Sequence, residues 1–288
     1  MTIIRLTVVR SKALLQRCSG WVRSRSAWLR VLIFLLIFPL VCLPVWVASW
    51  LGWLPVLGDT LTIAILYPLS VLYIGVWGKW IHGRSHPYRV LGLQPSWVFC
   101  RGLGLGGAVG FASVFLPFWI EGWLGWLEWQ PVEPGQLTIA FANAIATAAA
   151  VGFGEELLFR GWLLEELRLD WNRWVAGALV TGIYALAHTW GPQLLGLVLV
   201  GTILVEAKYL TGNRLGLGIG LHAGWVFSIA WVNISAWVRY PEAVPNFVTG
   251  IDGNPLAGIV GLSSLAIAGL ALLALPKLAN DRFGARSS

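Results

Sequence analysis

Apolar residues run in long unbroken blocks along this chain, and polar residues gather in the short gaps between them. A helix needs about 20 apolar residues to cross a bilayer. On that criterion the pattern predicts eight crossings, over residues 31–51, 60–78, 98–120, 137–160, 174–190, 192–208, 214–237 and 255–276. The weakest break is Thr189-Trp190-Gly191-Pro192-Gln193, where little more than a Gly-Pro pair separates the fifth block from the sixth. No strand-like alternation is present. The expected fold is therefore all-α, a polytopic membrane protein whose backbone polar groups are satisfied inside its helices. No internal repeat divides residues 31–276, which read as one domain.

The charges test this count. With the N-terminus placed in the cytosol, nineteen of the twenty basic residues fall on the cytosolic side and only Arg239 falls outside. Asp59, Glu121, Glu128, Glu133, Glu242 and Asp252 fall in the outer loops. This is the positive-inside distribution, and one crossing more or fewer would scramble it. The expectation is eight transmembrane helices with both termini cytosolic, residues 277–288 forming a cytosolic tail. Residues 1–30 carry seven basic residues and no acid. They suit an interfacial segment lying on anionic lipid, and their composition also resembles an organelle transit peptide.

Composition agrees. The chain is 57% hydrophobic and 11% charged, against about 25% charged residues in a soluble protein. Nineteen tryptophans fit repeated passage through the membrane interface. The net charge of +7 follows from the topology, so the bilayer is the partner it implies and nucleic acid is not. Cys18, Cys42 and Cys100 share no motif spacing, which argues against a disulfide framework. A bacterial plasma membrane and a thylakoid or other organelle membrane fit equally.

Against this background one segment stands out: Gly154-Glu155-Glu156-Leu157-Leu158-Phe159-Arg160-Gly161. The preceding residues 137–153 hold no charge at all. An ionisable residue at mid-membrane costs about 2.5–3.5 kcal/mol on insertion scales, so such residues are functional candidates by default. Two single histidines, His188 and His222, lie in later apolar blocks. Counting helical rise, Glu155, His188 and His222 sit about 15, 22 and 12 Å from the cytosolic face, a spread that helix tilt absorbs. Glu156 and Arg160, four residues apart, share a helix face and suit a neutralising pair. Glu155 points elsewhere, free to act. A Glu and two His at similar depth suit water activation, with Glu155 as general base, His188 sharing the proton and His222 donating to an oxyanion. The same three side chains with a water are also a zinc set. Each residue has an ordinary reading as well. A lone His on an apolar helix is usually a packing residue, Glu156 with Arg160 can be purely structural, and Glu206 with Lys208 suits an interfacial pair. His82 and His86 read as solvated members of a basic loop.

Three motifs carry a family resemblance. Glu155-Glu156-xxx-Arg160 resembles the EExxxR motif of the CPBP family, which includes the CAAX proteases and the bacteriocin-processing or immunity (Abi) proteins. Tyr184-Ala185-Leu186-Ala187-His188 is similar to the family's FxxxH, and His222-Ala223-Gly224-Trp225-Val226 to its HxxxN. The resemblance covers residues 137–235. It implies an intramembrane endopeptidase that cleaves a membrane-associated protein or peptide, as eukaryotic relatives remove the last three residues of prenylated CAAX proteins. It also implies that Glu155 and His188 activate the water and His222 stabilises the oxyanion, with no metal favoured over zinc. Two positions depart from the pattern. Tyr184 replaces Phe, and Val226 replaces the Asn expected as second oxyanion donor, a loss typically worth about 10²–10³ in rate. Asn233 is seven residues further along the same face, about 10 Å away. The Val226 departure favours a non-catalytic scaffold, immunity or assembly factor. A proton-coupled transporter would also use buried Glu and His, although no inverted repeat is present.

Overall fold

The computed structural model describes residues 16–51, 58–251 and 254–274. The chain is predominantly helical, and a helix occupies each of the predicted blocks: α1 (Ala27–Trp50), α2 (Gly58–Trp80), α3 (Trp97–Trp123), α4 (Pro134–Glu155), α5 (Arg173–His188), α6 (Leu194–Leu210), α7 (Gly216–Ser235) and α8 (Ile259–Ala274). Among the described residues, four helical stretches are long and apolar enough to cross a membrane: Ala27–Ala48, Trp97–Trp123, Pro134–Leu167 and Gly216–Ser235. Helices α5 and α6 have 16 and 17 residues, about 24–26 Å of rise, against about 30 Å of hydrocarbon. They pack on each other as a short hairpin. Residues 1–15 of the expected interfacial segment and the expected tail at 277–288 lie outside the described residues.

Small residues hold the centre together. Gly102, Gly106 and Gly110 of α3 face Gly216, Gly220 and Gly224 of α7, so the two backbones touch along most of their length. A Cβ on Gly220 would run into the Leu103 carbonyl, and one on Gly224 would lie 2.7 Å from the Gly107 carbonyl. The other side of α7 meets α4, where a Cβ on Gly152 would lie 2.9 Å from Ala223. Trp225 Nε1 donates to Ser113 Oγ (2.8 Å), and Ser264 Oγ donates to the Ser113 carbonyl (2.7 Å), tying α7 and α8 to α3. At the far end, β1 (Glu128–Trp129) and β2 (Val238–Arg239) pair antiparallel and close the loops after α3 and α7. Glu121, expected in an outer loop, lies within α3, fully buried, and accepts from the Tyr240 hydroxyl (3.3 Å).

The other end holds a buried polar cluster that periodicity alone does not reveal. Helix α1 begins at Ala27, so Arg30 belongs to the helical domain and not to a solvated leader. Its Nε donates to Glu166 Oε2 (2.9 Å) and a terminal nitrogen reaches Asp170 Oδ1 (3.2 Å). Trp77 Nε1 donates to Glu166 Oε1 (2.8 Å), and His82 Nε2 contacts the same oxygen. His82 is therefore a buried partner of Glu166 and not a solvated loop residue, while His86 is exposed. Lys208 does not pair with Glu206. It is buried, and its Nζ donates to the Arg160 carbonyl (2.6 Å) and to Glu165 Oε1 (2.8 Å). The reason is the same in both cases: a charge at the end of an apolar helix cannot be left without a partner where neighbouring helices exclude water.

The α3–α7 contact yields a signed test. Gly to Ala inside a helix normally stabilises by about 0.8–1.0 kcal/mol, whereas overpacking a tight contact costs about 1–3 kcal/mol. Gly220→Ala is expected to lower the melting temperature of the detergent-solubilised protein. Gly104→Ala, where nothing lies within 4 Å of the added Cβ, is expected to leave it unchanged or raise it. Equal behaviour of the two variants would refute the close-packing account.

Candidate active site

Helix α4 does not stop at Glu155. It continues through a π-helical segment, Glu156–Leu163, and a last α turn, Leu164–Leu167. Such widened turns, with i→i+5 hydrogen bonds, recur at functional sites. Residues Ala140, Ala144, Ala148, Gly152, Glu156 and Arg160 are all buried. In a regular α-helix a residue every four positions drifts by about 40° per step. Only the step from Glu156 to Arg160 falls in the wider turn, where four residues fall short of a full turn, so there the drift is reversed and both side chains stay buried together.

Glu156 and Arg160 form the expected pair, Arg160 donating to Glu156 Oε1 at 2.9 Å with both side chains at 0% exposure. The pair is anchored further. Arg160 donates to the Gly201 carbonyl of α6 (3.4 Å), and its guanidinium lies 4.2 Å from the centroid of the Tyr184 ring on α5. His222 of α7 places Nδ1 at 3.1 Å from the same Glu156 oxygen. That carboxylate, paired with Arg160, only accepts, so Nδ1 of His222 donates and its Nε2 is turned away.

Nε2 of His222 faces Glu155, at 3.7 Å from Oε2. His188, the last residue of α5, folds back so that Nδ1 donates to the Tyr184 carbonyl at 2.8 Å. Its Nε2 then lies 3.3 Å from Glu155 Oε2. One carboxylate oxygen thus sits between two imidazole nitrogens, each ring fixed from behind by its other nitrogen. Glu155 Oε2 is itself buried and makes no hydrogen bond of good geometry among the described residues. Unlike Glu156, the Glu155 side chain is partly exposed, at 18%, and His188 beside it at 31%.

The three expected catalytic side chains therefore converge. With Tyr184, Val226 and Asn254 they line one cavity of about 230 Å³. Tyr184 serves from below: its ring carries Arg160, its carbonyl holds His188, and it is buried. Val226 lines the cavity one helical turn from His222 and brings no hydrogen-bonding group. Asn233 is exposed near the far end of α7 and is not part of the lining. Asn254 is the residue that motif reading missed. It lies in the loop after α7, with no motif of its own, and no spacing signal could have pointed to it. As for metal binding, among the described residues no group of three His, Cys, Asp or Glu side chains converges in a way suited to hold an ion.

No curated protein and no solved structure matches the chain. The family described as Rce1-like, Type II CAAX prenyl endopeptidase Rce1-like, matches residues 137–228. The matched segment runs from α4 through α7 and contains Glu155, Glu156, Arg160, Tyr184, His188, His222 and Val226. Together with the long apolar helices it points to an integral membrane protein. The resemblance carried by the three motifs is matched over this segment: residues 137–228 are Rce1-like, similar to type II CAAX prenyl endopeptidases.

Proposed function

We propose that this chain is an intramembrane endopeptidase that hydrolyses a peptide bond of a membrane-associated protein or peptide. The observation that carries the reading is the Glu155 carboxylate held between His188 Nε2 and His222 Nε2 in a buried, reachable cavity. Glu155 takes a proton from a water aligned by His188. The oxygen of that water attacks the scissile carbonyl carbon, and the carbonyl π pair moves onto oxygen, where His222, carrying a hydrogen on both ring nitrogens, donates to it from Nε2. Collapse of the adduct breaks the C–N bond, and the proton held on Glu155 passes to the departing amine. Glu156 and Arg160 hold His222 and Tyr184 in place and take no part in the bond changes. The chemistry is carboxylate-based and needs no metal.

In the same reading both termini are cytosolic, as the distribution of the basic residues supports, and the α5–α6 pair enters and leaves the membrane on the cytosolic side instead of crossing it twice. The short α5–α6 hairpin then reaches from the cytosolic surface to the depth of Glu155 and turns back there. A second reading, a non-catalytic membrane scaffold or assembly factor, rests on Val226, which lines the cavity without a donor.

The two readings separate in one comparison. An internally quenched farnesylated peptide ending in Cys-aliphatic-aliphatic-X is incubated with the purified protein in lipid. Wild type is expected to cleave it, and Glu155→Gln, which keeps the side chain's shape but not its basicity, is expected to lose at least about 10²-fold in kcat with unchanged melting temperature. Equal rates for the two proteins would leave the scaffold reading standing. Metal dependence is checked separately. Cleavage is expected to survive prolonged treatment with a strong chelator, and loss of activity restored by added zinc would overturn carboxylate chemistry.

A further inference from the structure

Peptide hydrolysis places negative charge on the carbonyl oxygen, and one imidazole is a thin complement of donors for it. The cavity lining can be searched for a second. Trp225 Nε1 is committed to Ser113 Oγ. His188 Nδ1 is committed to the Tyr184 carbonyl, and His222 Nδ1 to Glu156. The Tyr184 hydroxyl accepts from Arg160, whose guanidinium is fully buried against Glu156, and Tyr184 is itself buried, so the hydroxyl is held in the wall on that side. Val226 has nothing to offer. What remains is Asn254, the amide side chain that lines the same cavity from the loop between α7 and α8.

Its orientation is set by two hydrogen bonds. The Leu256 backbone N–H donates to Oδ1 at 3.0 Å, which fixes which end of the amide is oxygen. Nδ2 then donates one hydrogen to Gln193 Oε1 at 3.2 Å. An amide nitrogen has two hydrogens, and the second has no further partner among the described residues. The loop is brought to this depth by close backbone packing. The turn Pro255–Ala257, capped by Asn254, lies directly on the start of α6, where a Cβ on Gly196 would stand 2.9 Å from the Leu256 carbonyl. Gly196 itself lines the cavity. The short α6 therefore starts beside the site, and the loop seated on it delivers an amide there.

We propose that Asn254 is a catalytic residue, its spare Nδ2–H donating to the oxyanion in the place that Val226 leaves empty of donors. This rests on the endopeptidase reading above, and it assigns the second donor to a loop and not to α7. The competing role for Asn254 is purely structural, as cap of the turn Pro255–Ala257. Asn254→Asp separates the two. Aspartate keeps the oxygen acceptor and caps as well as asparagine, but it has no N–H to give.

The test measures kcat and KM on the farnesylated peptide for wild type, Glu155→Gln, Asn254→Ala, Asn254→Asp and the double variant Asn254→Ala with Val226→Asn. Loss of an oxyanion donor typically costs about 10²–10³ in kcat. That drop is expected for Asn254→Ala and Asn254→Asp alike, with KM little changed and with the melting temperature of Asn254→Asp close to wild type. Adding Val226→Asn to Asn254→Ala is expected to recover at least about tenfold, since one correctly placed donor is worth that much or more. Full activity in Asn254→Asp would overturn the proposal and leave Asn254 as a cap, even if Asn254→Ala fails to fold. If Glu155→Gln is inactive while Asn254→Asp is fully active, only this inference falls. If wild type and Glu155→Gln do not differ, the endopeptidase reading falls and this inference with it.

Discussion

A carboxylate and a guanidinium with no exposed surface cannot exist in an apolar bundle unless they face each other. Breaking such a pair costs about 3–5 kcal/mol, because it strands a buried charge. In this chain that requirement organises the whole centre. Glu156 and Arg160 neutralise each other within one widened turn of α4. Three neighbours on other helices hold the pair: His222 on α7, the Gly201 carbonyl on α6 and the Tyr184 ring on α5. The helices that carry His188 and His222 are thereby fixed to the residue next to the proposed general base. Lys208 completes the arrangement from α6 by donating to the Arg160 carbonyl. A pair that looks merely structural is what sets the distances at Glu155.

The second constraint is length. Helices α5 and α6 are shorter than a membrane is thick, and α5 ends on His188 itself. The turn between them consequently lies beside Glu155, partway along α4. A hairpin of full span would have carried His188 past the site and kept the loop after α7 away from it. The short hairpin leaves a shelf at Gly196 on which the turn Pro255–Ala257 rests. Glycines at α3–α7 and α4–α7 let the remaining backbones close around this level, so the cavity is walled by helices of different reach.

Much of this was legible in the sequence, and the parts that were not share a physical cause. Apolar blocks located the helices to within a few residues because each has to satisfy its own backbone. Glu155, His188 and His222 stood out because charge in an apolar run is expensive, and the structure does bring them together. Length misled at α5 and α6, since an apolar block bounded by Gly-Pro predicts a helix but not how far into the membrane its turn lies. Charge misled at Arg30, His82, Lys208 and Glu121. Arg30 was read into an interfacial segment, His82 into a solvated loop, Lys208 into an interfacial pair with Glu206 and Glu121 into an outer loop, and each is held by a partner distant in sequence: Glu166 for the first two, Glu165 for Lys208 and Tyr240 for Glu121. The π-helical segment left no trace in the pattern, because the same residues would serve an α-helix. Asn254 left none because a loop amide becomes informative only when its neighbours are known.

Glu155 itself weighs against a purely structural reading of the site. Buried polar groups kept for structure are hydrogen-bonded, since leaving one bare in an apolar interior costs about 1–3 kcal/mol, more when it is charged. Glu156 is paired with Arg160 and bonded to His222 on Oε1, although its Oε2 is as bare as that of Glu155. Glu155 has no guanidinium or ammonium partner within ion-pair distance among the described residues. Its Oε2 is flanked by two imidazoles at 3.3 and 3.7 Å and makes no direct hydrogen bond of good geometry. Bundle stability gains little from such a carboxylate, and an apolar residue would pack there more cheaply. A carboxylate that bridges loosely to two oriented rings in a reachable cavity is arranged to exchange a proton, and Val226 does not alter that. What Val226 alters is the other half of the site, the half that receives the charge. In the proposed reading the loop carrying Asn254 offers a donor to that half alone, and the two carboxylates, the two rings and the amide divide into three jobs: holding, proton transfer and charge stabilisation.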